Sequence, residues 1–224
     1  MSVQTVSYVE AIAHIPPGAT LRIPAVEWED YAQLLAELGN DYHGRISYDN
    51  GRLEIMSPLP VHEEFANMVL WISREITRAL GVKLETRGSM TIRSVRQRKG
   101  AEPDTCFYVQ NAIRIIGKRD LDFDVDPPPD IVVEIDVTNE SQAKFPIYAA
   151  LGVPEIWRYD GHTASFYTLV NAAYIVTASS RVFSFLPSTL LAQWIEHSKT
   201  DGQDATLDTV RAWMHTQKLQ GQSS

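Results

Sequence analysis

The stretch "PPPDIVVEIDVTNESQAKFPIYAALGVPEIW", residues 127–157, decides the fold of this chain. Its first half is rich in β-branched apolar residues, which is typical of a strand at the centre of a sheet. A short helix around "KFPIYAALG" then leads to a second strand, "EIWRY". The segment therefore predicts a sheet covered by helices, and it raises the question of why the first strand carries Glu134 and Asp136.

Side chains alternate along a strand, so the odd-numbered residues 131–137, all apolar, share the face toward the predicted core. Glu134 and Asp136 share the opposite face, roughly 7 Å apart at the usual rise per residue. Two unpaired buried carboxylates repel each other and lose their hydration, which costs several kcal/mol unless a basic group or a cation lies between them. A divalent metal ion is the simplest resolution.

A third carboxylate precedes this strand in "AEPDTCFYV", where Pro103 suits the start of another strand and Asp104 is its first charged side chain. If the two strands pair, Asp104 and Glu134 meet at one site. Lys144 then arrives from the helix that follows, with Tyr148 one turn further on. Hard oxygen ligands of this kind suit Mg²⁺.

The rest of the chain predicts an α/β or α+β domain. A helix over "AVEWEDYAQLLAELGN" is followed by a hairpin around Asn50-Gly51, a long helix over 61–80 ended by Gly81, and several strands. We expect a loosely structured lead-in over residues 1–24, one domain over 25–198, and a polar C-terminal tail over 199–224 with one weak helix.

The long helix presents an apolar arc centred near Phe65 and Ile72. His62 falls on an edge of that arc, from which a helix can reach a site, whereas Glu63 is expected to point to water. A basic cluster in a predicted hairpin turn precedes Asp104 and is a candidate for contacting phosphates. The cluster consists of Arg93, Arg96, Arg98 and Lys99.

Composition narrows the function classes. The 20 basic and 28 acidic residues give a net charge of −8, which argues against constitutive, tight, sequence-blind binding of nucleic acid. The chain has a single cysteine, Cys106, which excludes an internal disulfide and any CxxC-type zinc site. This cysteine content fits a protein of a reducing compartment. No secretory signal pattern or long apolar run is apparent, so we expect a cytoplasmic protein without a membrane span.

These residues also carry a resemblance. Pro103-Asp104, Glu134 in an apolar strand and a nearby lysine resemble the PD-(D/E)XK nuclease arrangement. More closely, "RLEIMSPLPVHEEF", "EPDTCFYV", "PDIVVEID" and "YAALGVPEIWRYD" are similar to the Uma-type family of restriction endonucleases, over roughly residues 28–174. The most specific piece is Lys144 and Tyr148 followed by "GVPEIW".

The resemblance implies a restriction-endonuclease-like α/β fold, a mixed sheet flanked by helices, and Mg²⁺- or Mn²⁺-dependent hydrolysis of phosphodiester bonds in nucleic acid, most directly DNA. It implies that Asp104 and Glu134 are metal ligands, with Asp136 as a third candidate. Lys144 takes the place of the lysine that the simple motif keeps two residues after the glutamate, where this chain has Asp136. His62 is the accessory group, and cleavage of a duplex favours a homodimer.

Structural alternatives accompany each assignment. Asp104 could cap a turn, Glu134 could form a buried ion pair with Lys144, and Asp136 could bond the backbone near residues 138 and 139. His62 could be an N-terminal polar residue without a ligand, and the basic cluster could serve solubility. The rival functions are a nuclease-fold binding or regulatory module without turnover, and a metal hydrolase acting on another substrate.

Overall fold

The computed structural model describes residues 8–39, 42–137 and 140–221. Helices are interspersed among the strands along the chain. In order they are α1 Tyr8–Ile12, β1 Thr20–Ile23, α2 Trp28–Leu38, β2 Arg45–Asp49, β3 Arg52–Met56, α3 Pro60–Leu80, β4 Glu85–Gly88, β5 Ile92–Ser94, β6 Lys99–Ala101, β7 Thr105–Tyr108, α4 Ala112–Ile115, β8 Ile131–Ile135, α5 Phe145–Ala150, β9 Glu155–Tyr159, β10 Ala164–Val170, β11 Ala173–Thr177, α6 Ser188–Asp201 and α7 Gln203–Gly221.

The first sheet is antiparallel throughout, in the order β1-β3-β2-β6-β5. Its central hairpin turns at Asn50 and Gly51, whose φ angles of 45° and 94° are those of the tight turn that Asn-Gly favours, so the predicted hairpin is confirmed. Helix α2 packs on this sheet, where the rings of Tyr31 and Tyr48 stack with centroids 4.8 Å apart.

The second sheet is mixed, in the order β11-β10-β9-β8-β7-β4. Strands β8 and β9 are parallel, and the other pairs are antiparallel. The crossover between β8 and β9 passes through a 3₁₀ turn, Ser141–Lys144, and then α5. A mixed sheet flanked by helices is therefore confirmed.

Strand β8 is buried on both faces, as its sequence predicts. Ile131, Val133 and Ile135 pack into the larger core with α3 and the C-terminal helices. Val132 lies in a separate cluster with α5, and Glu134 points to that second side. Helix α3 ends at Gly81, which adopts a φ of 72°.

The described parts of the two terminal segments, residues 8–24 and 199–221, contain more regular structure than the sequence indicates. In the expected lead-in, 8–12 form α1 and 20–23 form β1, which pairs with β3, so that expectation is corrected for these residues. The expected C-terminal tail is helical and packs on α3, because Val210 and Met214 of α7 enter the larger core. Within the described ranges, no helix combines the length and apolarity that crossing a bilayer requires.

Candidate active site

The candidate site lies where the chain leaves one sheet and enters the other. Strand β6 belongs to the first sheet and β7 to the second, and Glu102, Pro103 and Asp104 join them. Glu102 stays attached to the first sheet through two hydrogen bonds with Ile46 of β2. Its N–H donates to the Ile46 carbonyl at 3.0 Å, and its carboxylate accepts the Ile46 N–H at 2.9 Å. Pro103, between Glu102 and Asp104, has no N–H to donate, so it interrupts the backbone hydrogen bonding between the first sheet and the second.

The expected pairing of the Asp104 and Glu134 strands is present. Thr105 of β7 faces Val133 of β8, and the Asp104 N–H donates to the Val133 carbonyl at 3.1 Å. The Asp104 carboxylate in turn accepts the Ile135 N–H at 2.8 Å. Asp104 is thus fixed beside the backbone on both sides of Glu134, and both acids are almost fully buried.

Glu134 is surrounded by ionisable donors. The Lys144 Nζ lies 2.9 Å and 3.2 Å from its two oxygens, and the Tyr148 hydroxyl donates to Oε1. The pKa of the Glu134 carboxyl is raised to about 7: burial is the main cause and the charge of Asp104 acts in the same direction, whereas Lys144 and Tyr148 oppose the shift. The buried ion pair considered from the sequence is therefore formed.

Lys144 ends the 3₁₀ turn, and α5 begins directly after it, with Pro146 in its first turn. Its ammonium also donates to the Glu102 carbonyl at 3.1 Å, which ties it to the junction of the sheets. Burial disfavours the charged ammonium, but the carboxylates of Glu134 and Asp104 outweigh burial and raise the pKa of Lys144. The amine therefore stays protonated beside both acids.

The sequence did not reveal Arg45, which is only 2% exposed and bonds to Asp104. Its Nε lies 3.2 Å from Asp104 Oδ1, a second nitrogen pairs with Glu63, and a third contact joins it to the His43 carbonyl at 3.1 Å. Arg45 shares one face of β2 with Ser47 and Asp49, and nothing in that alternation indicates that this face is covered. Glu63 is exposed, as expected of a position that points to water, but its carboxylate also pairs with the buried Arg45.

His62 is buried at the first turn of α3, next to Glu63. Its Nδ1 accepts the Leu59 N–H at 3.1 Å, so the imidazole caps the start of the helix that brings Glu63 to Arg45. The structure therefore places His62 beside the site, in contact with the backbone that precedes α3.

Asp136 lies just beyond β8 and has its own partners. Both of its oxygens accept the Ser141 N–H at 3.0 Å, and Arg158 of β9 pairs with it. Residues 138 and 139, which the sequence suggested as its backbone partners, lie outside the described residues. Asp136 thus shapes the turn that carries Lys144 toward Glu134.

The basic cluster divides into paired and cleft-facing residues. Arg98 lies 3.4 Å from Glu29, Lys99 pairs with Asp49, and Arg96 reaches Asp124 at 4.0 Å. Arg93 instead lines a cleft of about 810 Å³ that also includes Arg119. Ile46 and Glu102 form part of the cleft wall, so the cleft borders the junction on which Lys144 is held.

The side chains of the site can be compared with the ligands that a divalent metal ion requires. Within the described ranges, no group of three or more His, Cys, Asp and Glu side chains is arranged to hold one. Asp104 and Glu134 nevertheless form a pair of hard oxygen donors, and Mg²⁺ takes one or two protein carboxylates while keeping several waters. The two carboxylates fit Mg²⁺ or Mn²⁺ as a partial ligand set.

Asp104 just before β7, Glu134 on the neighbouring β8 and Lys144 at the end of the 3₁₀ turn meet on a mixed sheet, an arrangement typical of the restriction-endonuclease-like class of proteins. The sequence pattern of the Uma2 family, described as "Putative restriction endonuclease", matches residues 28–198. The chain belongs to the Uma2 family.

Comparison with other proteins supports the fold. The chain is similar to a solved structure from Anabaena variabilis, titled as a putative nuclease, with a TM-score of 0.50 and 16% identity. The alignment covers 76% of this chain and 99% of that one. No curated protein is detectably similar in sequence.

Proposed function

We propose that this protein is a metal-dependent endonuclease that hydrolyses phosphodiester bonds of DNA. The observation that carries the proposal is the convergence of Asp104, Glu134 and Lys144 at the junction of the two sheets, with the ammonium 2.9 Å from the glutamate. Membership of a restriction endonuclease family supports the nuclease class, and the two buried carboxylates support the use of a divalent cation.

Each residue has a chemical task in this proposal. A bound Mg²⁺ or Mn²⁺ would lower the pKa of a water molecule and neutralise charge on the phosphate. Asp104 and Glu134 would bind the cation, and the Lys144 ammonium would orient the attacking water and stabilise the developing negative charge. His62 would act by fixing the first turn of α3. Asp136 would hold the Lys144 turn, and it is also the candidate for a third metal ligand.

The nucleic acid would approach along the cleft that borders Glu102. Arg93 and Arg119 line this cleft and are exposed, so their guanidinium groups can contact phosphates. Arg96, Arg98 and Lys99 have acidic neighbours, which weakens their attraction for a polyanion. Two copies of the chain would be needed to cut both strands of a duplex at one position, which favours a homodimer.

Cleavage of plasmid DNA in the presence of Mg²⁺ or Mn²⁺ tests the catalytic part. We expect Asp104→Asn to reduce the rate by at least about 100-fold, because the cation loses a ligand. Asp160→Asn is the matched control, since Asp160 also accepts backbone N–H bonds but does so in an exposed turn of the second sheet. Equal rates for Asp104→Asn and the unchanged protein would contradict the proposal and indicate a contaminating nuclease.

The approach path has its own test. In a DNA-binding titration with Ca²⁺ in place of Mg²⁺, we expect Arg93→Ala to weaken binding by about 3- to 10-fold and to reduce its salt dependence. Arg98→Ala removes the same charge from a residue that pairs with Glu29 and does not line the cleft, so its effect should be smaller. A larger effect of Arg98→Ala would move the binding path to the hairpin turn.

A second candidate is a nuclease-fold binding or regulatory module without turnover. The observation in its favour is that both carboxylates already have a cationic partner, Asp104 in Arg45 and Glu134 in Lys144. The two candidates separate in one comparison: DNA binding without any Asp104-dependent cleavage supports the module. Cleavage of a panel of other phosphodiesters in place of DNA would support a hydrolase of a different substrate.

A further inference from the structure

Each of the two site carboxylates already has a side-chain cation beside it. Arg45 contacts Asp104 and Lys144 contacts Glu134, and Arg45 also pairs with the half-exposed Glu63 at the rim. A divalent cation that joins Asp104 and Glu134 while both side-chain cations stay would leave an excess of positive charge at these buried carboxylates. Such an excess is strongly unfavourable at low dielectric, so one of the side-chain cations must move away when a metal ion binds.

We propose that Arg45 is the residue that moves: it acts as an internal counter-ion that occupies the cation position at Asp104, and when a divalent cation binds it releases Asp104 and keeps its pair with Glu63. This inference rests on the proposed function, in which Asp104 and Glu134 bind that cation. Arg45 is then a positioning residue that sets the affinity of the site for metal.

The contacts of Arg45 support such a release. Only its Nε contacts Asp104, at 3.2 Å, whereas its other nitrogens hold Glu63 and the His43 carbonyl. Glu63 is 55% exposed, so it lies at the rim of the site, where a guanidinium can be rehydrated. Arg45 can therefore release Asp104 and keep two of its three partners.

Asp104 and Lys144 are both held by contacts that do not involve Arg45. Asp104 keeps its position through the Ile135 N–H at 2.8 Å, so its carboxylate stays in place after Arg45 leaves. Lys144 contacts both oxygens of Glu134 and the Glu102 carbonyl, all inside the junction. Of the two cations, Arg45 makes the single and longer contact with its site carboxylate, and it already pairs with the exposed Glu63.

Titration of the metal-free protein with Mn²⁺ alone, followed by calorimetry or by the electron paramagnetic resonance of unbound Mn²⁺, tests this inference without an activity measurement. Arg45→Gln should bind Mn²⁺ at least about 10-fold more tightly than the unchanged protein, because the competing charge is gone. Glu63→Gln should bind about 3-fold or more weakly, because Arg45 loses the partner that retains it.

Glu64→Gln is the matched control for Glu63→Gln. Glu64 is the next residue of α3, it is also exposed, and its substitution changes the net charge by the same amount. Its effect on Mn²⁺ affinity should be small if Glu63 acts through Arg45 and not through the overall field of the protein. Because Glu63 is half exposed, Glu63→Gln also keeps the test available if Arg45→Gln fails to fold.

The double variant decides how Glu63 acts. In the Arg45→Gln background, Glu63→Gln should change the Mn²⁺ affinity no more than Glu64→Gln does. A further weakening there would make Glu63 a metal ligand and overturn the inference. Unchanged affinity in Arg45→Gln would overturn it while leaving the proposed function standing, whereas no Mn²⁺ binding by any of these proteins would overturn both.

Discussion

Two buried glutamates on neighbouring parallel strands have different surroundings. Glu155 of β9, which is fully buried, accepts hydrogen bonds from the Trp157 indole at 2.9 Å, from the Arg181 and Val182 backbone at 2.9 Å and 3.0 Å, and from the Ser180 hydroxyl. Glu134 of β8 is 1% exposed and bonds to an ammonium and a phenol. The donors to Glu155 are neutral, and two of them are backbone groups.

The difference indicates what each carboxylate is for. Fixed neutral donors hold Glu155 in one arrangement and fasten the loop after β11 to the second sheet, which is a structural role. Glu134 depends on a cation that is itself ionisable, so its charge balance can be changed by a ligand or by pH. Burial of a carboxylate alone therefore does not mark a site, whereas burial beside a charged, displaceable partner does.

The largest expected effect is on stability at Glu155. Glu155→Ala should lower the free energy of unfolding by about 3–4 kcal/mol, because several buried donors lose their acceptor at once. Urea denaturation followed by tryptophan fluorescence measures the change. Glu155→Gln keeps the volume and one acceptor oxygen, so it should be intermediate; a loss below about 1 kcal/mol in Glu155→Ala would contradict the structural role.

Local signals explain which parts of the fold could be predicted. Asn50-Gly51, the 3.6-residue period of α3 and the alternation in β8 each depend on neighbours in the sequence. Strand β6 was missed because "KGA" resembles part of a basic turn, and its pairing with β2 is non-local. Strand β1 was missed because Pro16, Pro17 and Gly18 dominate the segment before it.

The candidate site divides in the same way. Acids in an apolar strand are conspicuous in a sequence, so Asp104, Glu134 and Lys144 could be selected and their meeting expected. Arg45 and Glu63 could not, because an arginine on the polar side of β2 and a glutamate on the outer side of α3 are ordinary surface patterns. Only the packing of α3 beside the junction of the two sheets places Glu63 against Arg45, which in turn contacts Asp104.

A smaller effect, which depends on pH, should appear at Lys144. The pKa of Glu134 is raised in the folded protein above its value in the unfolded chain, so its contribution to stability is present at low pH and is lost as pH rises through about 7. Lys144→Met removes the cation that opposes this shift, so Glu134 should stay protonated to a higher pH. The free energy of unfolding of the Lys144→Met protein should therefore continue to fall above about pH 7, where that of the unchanged protein has levelled off.

Urea denaturation of both proteins between about pH 6 and pH 9 measures this difference. The unchanged protein should exceed Lys144→Met in stability by an amount that widens by about 1–2 kcal/mol across this range. Lys199→Met is the control, since Lys199 pairs with the half-exposed Glu196 on the same helix. The difference in free energy of unfolding between the unchanged protein and Lys199→Met should stay constant across this pH range. A constant gap for Lys144→Met would mean that Glu134 does not titrate in this window.

The smallest expected effect comes from removing both charges of the Glu134 and Lys144 pair together. Glu134→Gln with Lys144→Met keeps an acceptor for the Tyr148 hydroxyl and leaves neither a buried carboxylate nor a buried ammonium. Replacing a buried ion pair by neutral groups of similar volume is often neutral or stabilising, so the free energy of unfolding should change by less than about 1 kcal/mol in either direction. Under the proposed function, in which Glu134 binds the metal ion and Lys144 orients the water, DNA cleavage should be lost. A destabilisation as large as that of Glu155→Ala would instead make the Glu134 pair structural and remove the distinction between the two glutamates.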